Sequence, residues 1–477
     1  MQLAKELAAK AQLKDEESFR DKLATADKDG KRIWVYPKKP SGKLTAAREK
    51  VAYALLLVLF VLPFIKVGGE PVILLNIIHR KFIIFGLIFY PQDFHLFVIA
   101  TIAAMIFIAL FTVVYGRVFC GWVCPQTIFM EMVFRKIEYW IEGDWKDQKV
   151  LDRAEWTNKK ILRKGSKHFI FWSISLIISA TFLSYIIGVE SLTQLLTGSL
   201  KDNLGTLAGL MVFSGIFYWV FAFFREQVCT AVCPYGRLQG VLLDKKSIIV
   251  AYDYKRGENR GLIRKGEDRK VAGKGDCLDC HHCVDVCPTG IDIRNGTQLE
   301  CINCTACIDA CNFMMEKVGQ EKGLIRYSSE NAIARGEIFR ITPRIIGYSS
   351  VLLILVASLF TLTAFRSDVE TTILRAPGML FQEQPGKKIS NLYTFKIINK
   401  TRENKELEFR LETIKGEISI VGKKEISVKR EGMGEGSLFI MIPESEIHSV
   451  KTKVYVGVYS QGKLIERVKT TFMGPAQ

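Results

Sequence analysis

Apolar positions follow two different rhythms along this chain. Five stretches are almost continuously apolar and are separated by polar loops: residues 51–65, 96–115, 169–188, 205–224 and 345–365. A helix that crosses a bilayer needs roughly 20 apolar residues, and the last four stretches have that length. The first, VAYALLLVLFVLPFI, is shorter and carries Pro63; it spans if Arg48, Lys50 and Lys66 extend their charges to the interfaces. FIIFGLIFY at 82–90 is too short to span and reads as an interfacial or re-entrant segment. Beyond residue 366 the rhythm changes to period two. LYTFKIIN (392–399), KELEFRLETI (405–414), GEISIVG (416–422), KEISVK (424–429), SLFIMI (437–442) and KVYVGVYS (453–460) alternate at least in part. Such alternation predicts strands, and SQGK (460–463) predicts a hairpin turn. Several short strands in succession point to a β-sandwich.

Charge fixes how the apolar stretches are threaded. Charged residues are 24% of the chain, and the mean hydropathy is positive, as expected of a membrane protein. Thirteen Lys and Arg lie in residues 1–50, two in 67–93, eleven in 116–167 and one in 189–204. Residues 225–344 are again basic near both ends. Positive charge therefore alternates with each crossing, and the rich loops belong in the cytoplasm. The net charge of +17 is accounted for by these loops, so the expected partner is the lipid bilayer and no nucleic acid. An odd number of spans puts the C-terminus outside. The N-terminal 45 or so residues are too polar for a signal peptide, which leaves targeting to the first span.

The twelve cysteines are clustered, and none follows Cys311. A secreted disulfide scaffold would spread them, whereas short spacings in a reducing compartment point to metal. CLDCHHCVDVCP (277–288) and CINCTACIDAC (301–311) each read C-x2-C-x2-C-x3-C. In two-cluster ferredoxins the fourth cysteine of each run ligates the other 4Fe–4S cube. One cube is thus expected on Cys277, Cys280, Cys283 and Cys311, the second on Cys301, Cys304, Cys307 and Cys287. The competing reading is a pair of four-cysteine zinc sites, which the doubled spacing disfavours. Pro288 follows Cys287 but Asn312 follows Cys311; the proline turns the chain and is not a ligand. His281 and His282 are expected to be solvent-facing or supporting, and His95 and His168 to be interfacial. The domain plan is a basic cytoplasmic segment (1–50), four transmembrane helices (51–224), a cytoplasmic dicluster ferredoxin-like domain (225–344), a fifth transmembrane helix (345–365) and a β-sandwich (366–477).

Four thiols remain. FCGWVCP (119–125) and VCTAVCP (228–234) repeat Cys-x-x-x-Cys-Pro at the cytoplasmic ends of the second and fourth spans. Each has an arginine three or four residues earlier, Arg117 and Arg225, and a valine before its second cysteine. This is a weak internal repeat of span followed by motif. Cysteines at i and i+4 share a helix face, and Pro125 and Pro234 would break the helical hydrogen bonding there. A nearby arginine favours thiolate over thiol. Cys120, Cys124, Cys229 and Cys233 could then offer soft ligands for Cu(I), zinc or an iron–sulfur cluster. The plainer reading is four buried cysteines acting as small hydrophobes.

With these residues assembled, the chain resembles the FixG/CcoG family, accessory proteins of the cbb3-type cytochrome c oxidase. The likeness covers essentially the whole length, including an immunoglobulin-like C-terminal domain. It implies a bacterial inner-membrane protein with a periplasmic sandwich and two 4Fe–4S clusters. It also implies a cupric reductase that turns Cu(II) into Cu(I) for oxidase assembly, with oxidase subunits or copper-delivery proteins as partners. The eight cysteines from Cys277 to Cys311 match that family's cluster ligands, and Cys120, Cys124, Cys229 and Cys233 match its membrane motifs. Two rivals stand beside it: a quinol-linked ferredoxin carrier, in which copper is irrelevant, and a structural assembly factor whose clusters only hold the fold. No nucleotide or flavin fingerprint names the electron donor; GKGD (273–276) lacks the length of a phosphate loop, and Gly68-Gly69 reads as a turn.

Overall fold

The structure, a computed structural model, describes Thr25, Asp29 and residues 31–475 apart from 79–80, 91–92, 264–267, 270, 338–339, 379, 423–425 and 431. The rest of the basic segment up to residue 30, Arg80, and the start of the expected strand 424–429 lie outside the described residues. The chain divides into two compact units, Met1–Val356 and Ala357–Gln477.

In the first unit and at its end, four helices among the described residues are long and apolar enough to cross a membrane: Phe94–Tyr115, Asn158–Ile187, Asn203–Phe224 and Pro343–Ala364. They carry the last four apolar stretches. The first stretch lies on a shorter helix, Lys43–Val61, followed by a 3-10 turn, Leu62–Phe64, at Pro63. Lys43, Arg48, Glu49 and Lys50 occupy the first half of that helix, so its apolar part is short. Arg48 does not reach for an interface as expected. It is 3% exposed, and its Nε donates to the Gly121 carbonyl at 2.6 Å. The helix also borrows its N-terminal cap from far along the chain. The Asp309 carboxylate accepts from the backbone N–H of Leu44 (3.2 Å) and Thr45 (2.7 Å) and from the Thr45 hydroxyl (2.8 Å).

The stretch 82–90, read as interfacial or re-entrant, is built of strands. Ile73–Asn76, Lys81–Ile84 and Leu87–Phe89 form an antiparallel three-stranded sheet. The local chemistry explains it: Phe85 and Gly86 both take positive φ, as the tight turn of a two-residue hairpin requires. Leu74, Ile83 and Ile88 then close a small core. Gly68 and Gly69, also at positive φ, turn the chain between Lys66–Val67 and Glu70–Pro71.

After the span Phe94–Tyr115 the chain runs through short helices, Val118–Trp122 and Pro125–Ile128, a π-helical turn Phe129–Phe134 and Arg135–Ile141. A buried ionic network ties this segment to the other helix ends. Glu138 holds Arg225 through two hydrogen bonds of 3.0 and 2.9 Å. Lys167 meets Glu142 at 2.9 Å, and Arg135 meets Glu131 at 2.7 Å. The iron–sulfur region closes with a two-stranded antiparallel sheet, Ile249–Tyr252 with Ile325–Ser328, packed against Ala306–Lys317.

The second unit is the expected sandwich. One sheet orders Glu417–Ile420, Met433–Pro443, Lys388–Asn399 and Val369–Arg375, with Gln382–Gln384 also paired to Lys388–Asn399. The other orders Ile426–Val428, Lys405–Leu411, Lys451–Ser460 and Lys463–Met473. Alternate residues turn inward: Tyr393, Phe395 and Ile397 from one sheet meet Phe409, Val454, Val456 and Val458 from the other. The turn at 460–463 forms, with Gln461 and Gly462 at positive φ. The pattern reading missed the strands at 369–375, 382–384 and 463–473.

Burial alone would raise the Glu138 carboxyl, but Arg225, Lys167 and Arg135 outweigh it and hold it below the usual carboxylate range. A depressed pKa contributes stability above the ordinary carboxylate range, and that stability is lost as pH falls through the folded value. Glu138→Ala leaves buried Arg225 with only the longer contact of its Nε to Glu226 at 3.7 Å, so it should destabilise the purified protein by about 3 kcal/mol at neutral pH. The deficit should shrink in acid. Glu316→Ala, which removes an exposed partner of Lys322, should change little. Denaturation midpoints in detergent across pH check both outcomes.

Candidate metal centre

The two cysteine runs share one backbone design. In the first, Asp279 (φ 51°) and His281 (φ 55°) are left-handed; in the second, Asn303 (φ 53°) and Thr305 (φ 67°) take the same steps. Non-glycine residues rarely adopt positive φ. Alternating hands turn successive backbone N–H groups to one side and make a concavity for an anion, as around iron–sulfur sites. Each run then enters a helix, His282–Asp285 or Ala306–Lys317.

The fourth cysteine of each run crosses over. Cys311 lies within electrostatic reach of Cys277 and Cys280, and Cys283 of Cys311 and Cys280. These sulfurs share an apolar cluster with Met315, Leu324 and Ile325. Cys287 instead acts on Cys301, Cys304 and Cys307, and all four line one cavity with Pro288, Ile302 and Thr305; Cys283 of the first run also lines it and acts on Cys307. Burial pushes Cys304 up to about 11 and Cys301 and Cys311 up to about 12. Such thiols stay protonated at neutral pH unless metal takes the proton's place. The Asn303 Nδ2, beside this cavity, is buried with no hydrogen-bond partner. The two sets of four thiols, each with its concavity, fit two iron–sulfur cubes. His281 is exposed, with its Nδ1 3.1 Å from Arg294 and its Nε2 3.5 Å from Asp279, a supporting position. His168 hydrogen-bonds the Tyr218 hydroxyl at 2.9 Å and stacks on Phe223, a packing role, and His95 is exposed.

The remaining four thiols come together beside the second run. Cys229 lies within electrostatic reach of Cys120, Cys124 and Cys233. Cys120 packs in one buried cluster with Ile302, Cys304 and Ala306, bordered by Cys307. The approach is backbone to backbone: a Cβ on Gly121 would stand 2.4 Å from the Ile302 carbonyl oxygen and 3.0 Å from the Cys304 Cα. Burial raises Cys120 and pushes Cys229 up to about 12, and Arg117 opposes the shift at both.

Two local expectations change. The motif cysteines do not share one helix. Cys124 and Cys233 are extended caps, and Pro125 and Pro234 open new helices, Pro125–Ile128 and Pro234–Leu242. The two arginines are not equivalent either. Gly116 (φ 59°, ψ −140°) and Arg225 (φ 56°, ψ −125°) each end a span four residues before the first motif cysteine, in matching backbone. Arg225 is thus the counterpart of Gly116, and its side chain is taken by Glu138. Arg117 alone faces the sulfurs. Its Nε donates to Gln239 Oε1 at 2.6 Å, and the same oxygen accepts from the Cys120 thiol at 3.2 Å. Gln239 is fully buried and also donates to the Thr112 hydroxyl at 3.3 Å. No sequence signal marked Gln239; it lies five residues beyond Pro234 on a helix whose inward face was not assigned.

Fold and site define a membrane-anchored dicluster ferredoxin with two further thiol pairs. Residues 224–330 match the family model for the 4Fe-4S dicluster domain, residues 97–146 that for a 4Fe-4S binding domain, and residues 359–475 that for the IG-like fold at the C-terminus of FixG. Protein RdxB of Cereibacter sphaeroides is 32% identical over 451 residues, which is 90% of this chain and 90% of that protein. Protein RdxA of the same organism is 31% identical over 397 residues, 79% of this chain and 81% of that protein. Nitrogen fixation protein FixG of Rhizobium meliloti is 33% identical over 314 residues, 63% of this chain and 58% of that protein. The chain belongs to the FixG/RdxA/RdxB family.

Gly121→Ala should force the first motif away from the second cysteine run, because the clash is with backbone. The purified variant should lose about half its iron and acid-labile sulfide, one cube of two. Gly347→Ala, with nothing within 4 Å of the new methyl, should keep both.

Proposed function

We propose that this chain is a membrane-bound oxidoreductase that reduces Cu(II) to Cu(I) for assembly of a cbb3-type oxidase. Cys277, Cys280, Cys283 and Cys311 hold one 4Fe–4S cluster, and Cys301, Cys304, Cys307 and Cys287 hold the other. When bound, the clusters take up and release single electrons, over a potential range wide enough to reduce Cu(II). Cys120, Cys124, Cys229 and Cys233 receive copper as substrate. The observation that supports this most is the packing of Cys120 against Cys304 and Cys307, with the other motif thiols gathered around it.

The chain's own residues divide the work. The four soft sulfurs favour Cu(I) over Cu(II), so one electron added to bound Cu(II) gives a product that they stabilise. Each thiol surrenders its proton when it binds the metal. Gln239 orients the Cys120 sulfur by accepting from its thiol, and the Arg117 charge favours its thiolate. Counting Lys43–Val61 with its 3-10 turn as a crossing gives five spans, with the iron–sulfur region cytoplasmic and the sandwich periplasmic. There the sandwich would meet oxidase subunits or copper-delivery proteins, and a one-electron donor on the cytoplasmic side would reload the clusters.

Anaerobic stopped-flow mixing of the chemically reduced protein with Cu(II) tests this. Wild type should reoxidise its clusters with a matching yield of Cu(I), read with a chelating dye. A variant with Cys120, Cys124, Cys229 and Cys233 all changed to Ser, retaining its clusters, should lose at least tenfold in rate. Equal rates would assign those thiols another task, and no reaction in either would favour the quinol-linked carrier.

A further inference from the structure

A buried guanidinium needs a nearby anion, because hydrogen bonds to neutral oxygens do not return the cost of desolvating a charge. Three of the six arginines buried among the described residues meet that need. Arg135 pairs with Glu131, Arg225 with Glu138, and Arg294 with Asp292 at 2.6 Å and Asp279 at 2.5 Å. Arg48 and Arg117 do not. Both are 3% exposed, and neither makes an ion pair with a carboxylate among the described residues. Arg48 has the Gly121 carbonyl for its Nε and no hydrogen-bond partner for its Nη2. Arg117 has Gln239 and the Leu299 carbonyl.

Both cations converge on the same place. Arg48 lies within electrostatic reach of Cys304, and Arg117 of Cys301, Cys120 and Cys229. Glu131 also reaches Cys304, but Arg135 already holds it at 2.7 Å. The anion that these two cations lack is therefore thiolate-bound metal at the second cysteine set. The first set has a different setting. Arg294 and then Asp292 act on Cys283, and Arg256 acts on Cys311, but Arg294 is paired with Asp292 and Asp279 and Arg256 with Asp276, so these cations of the first set are already balanced by carboxylates. Arg269 is bound only to carbonyl oxygens there, those of Gly261, Gly275 and Cys277, but it stands in this acidic surrounding.

We infer that Arg48 and Arg117 order the two reductions: they make the cluster on Cys287, Cys301, Cys304 and Cys307 the first to accept an electron and the one on Cys277, Cys280, Cys283 and Cys311 the second. A cluster held by four thiolates gains one negative charge on reduction. A fixed positive charge in a low-dielectric site favours that state. The first electron thus settles at the site that packs against Cys120. This inference rests on the two-cluster reading but not on copper. Arg48 and Arg117 are positioning charges that touch no substrate in it.

The test is a copper-free potentiometric titration of the holoprotein with dithionite, followed by electron paramagnetic resonance of the reduced clusters. Wild type should show two midpoints, and Cys304→Ser should abolish the higher one. Arg117→Gln and Arg48→Gln should each shift the higher reduction equilibrium about tenfold toward the oxidised form, about 59 mV for one electron, and leave the lower in place. Arg117→Lys, which keeps the charge, should restore most of the shift. If Arg117→Gln fails to assemble its clusters, Arg48→Gln decides alone. Unmoved midpoints, equal movement of both, or loss of the lower midpoint in Cys304→Ser would overturn the inference. If the midpoints keep this order while Cu(II) is not reduced, the copper proposal fails and this one stands.

Discussion

Gly121 lets two pieces of backbone touch, and much of the first unit is arranged by that contact. The glycine sits one residue after Cys120, where any side chain would strike the Ile302 carbonyl and the Cys304 Cα. Its own carbonyl faces Arg48, whose helix is capped by Asp309 from the second cysteine run. Helix Lys43–Val61, the first thiol motif and the second run are thus fixed to one another by polar contacts and by an approach at Gly121 that leaves no room for a larger residue. A cysteine pair placed at a helix end without this approach would be a generic soft site. With it, the pair adjoins the cysteines that carry the cofactor chemistry.

The sequence made the chemistry more legible than the geometry. Cysteine spacing announced the iron–sulfur domain, because ligation by a short run demands those intervals. Apolar length announced four of the five expected spans, and period two announced the sandwich. What escaped depended on local backbone or on distant partners. The stretch 82–90 looked like a failed span because Phe85-Gly86 is a turn only when both residues take positive φ. The strand at 463–473 escaped because its outward positions mix charges with apolar residues, so its alternation is faint. Arg48 was assigned to an interface by its place near a helix end. Its true partner is 73 residues away in sequence, and nothing in a linear pattern reports that.

The repeat is a case where the sequence invited the wrong pairing. Arg117 and Arg225 look like counterparts, yet the backbone sets Arg225 opposite Gly116. A residue with a Cβ at φ 56° and ψ −125° is costly, and it persists when its surroundings over-determine it. Glu138 supplies that determination through two hydrogen bonds. One half of the repeat therefore spends its arginine on joining helix ends, while the other half keeps a different arginine for the sulfurs. The two halves of the weak repeat thus differ in that one carries a structural charge and the other an electrostatic one.

That separation bears on how the first unit holds together. Arg48, Arg117 and the Asn303 amide surround the second set of thiols, where burial raises the thiols and Glu131, the carboxylate that reaches Cys304, is already held by Arg135. Protonated sulfurs cannot balance two buried cations. Metal loading converts four neutral thiols into thiolates and supplies the missing negative charge in one event, so the free energy of loading is also free energy of packing. The same cations that make the second site electrically complete on loading also bias where an added electron rests. Stability and redox order are in this way two consequences of one charge imbalance, placed where Gly121 brings the thiol motif against the second cysteine run.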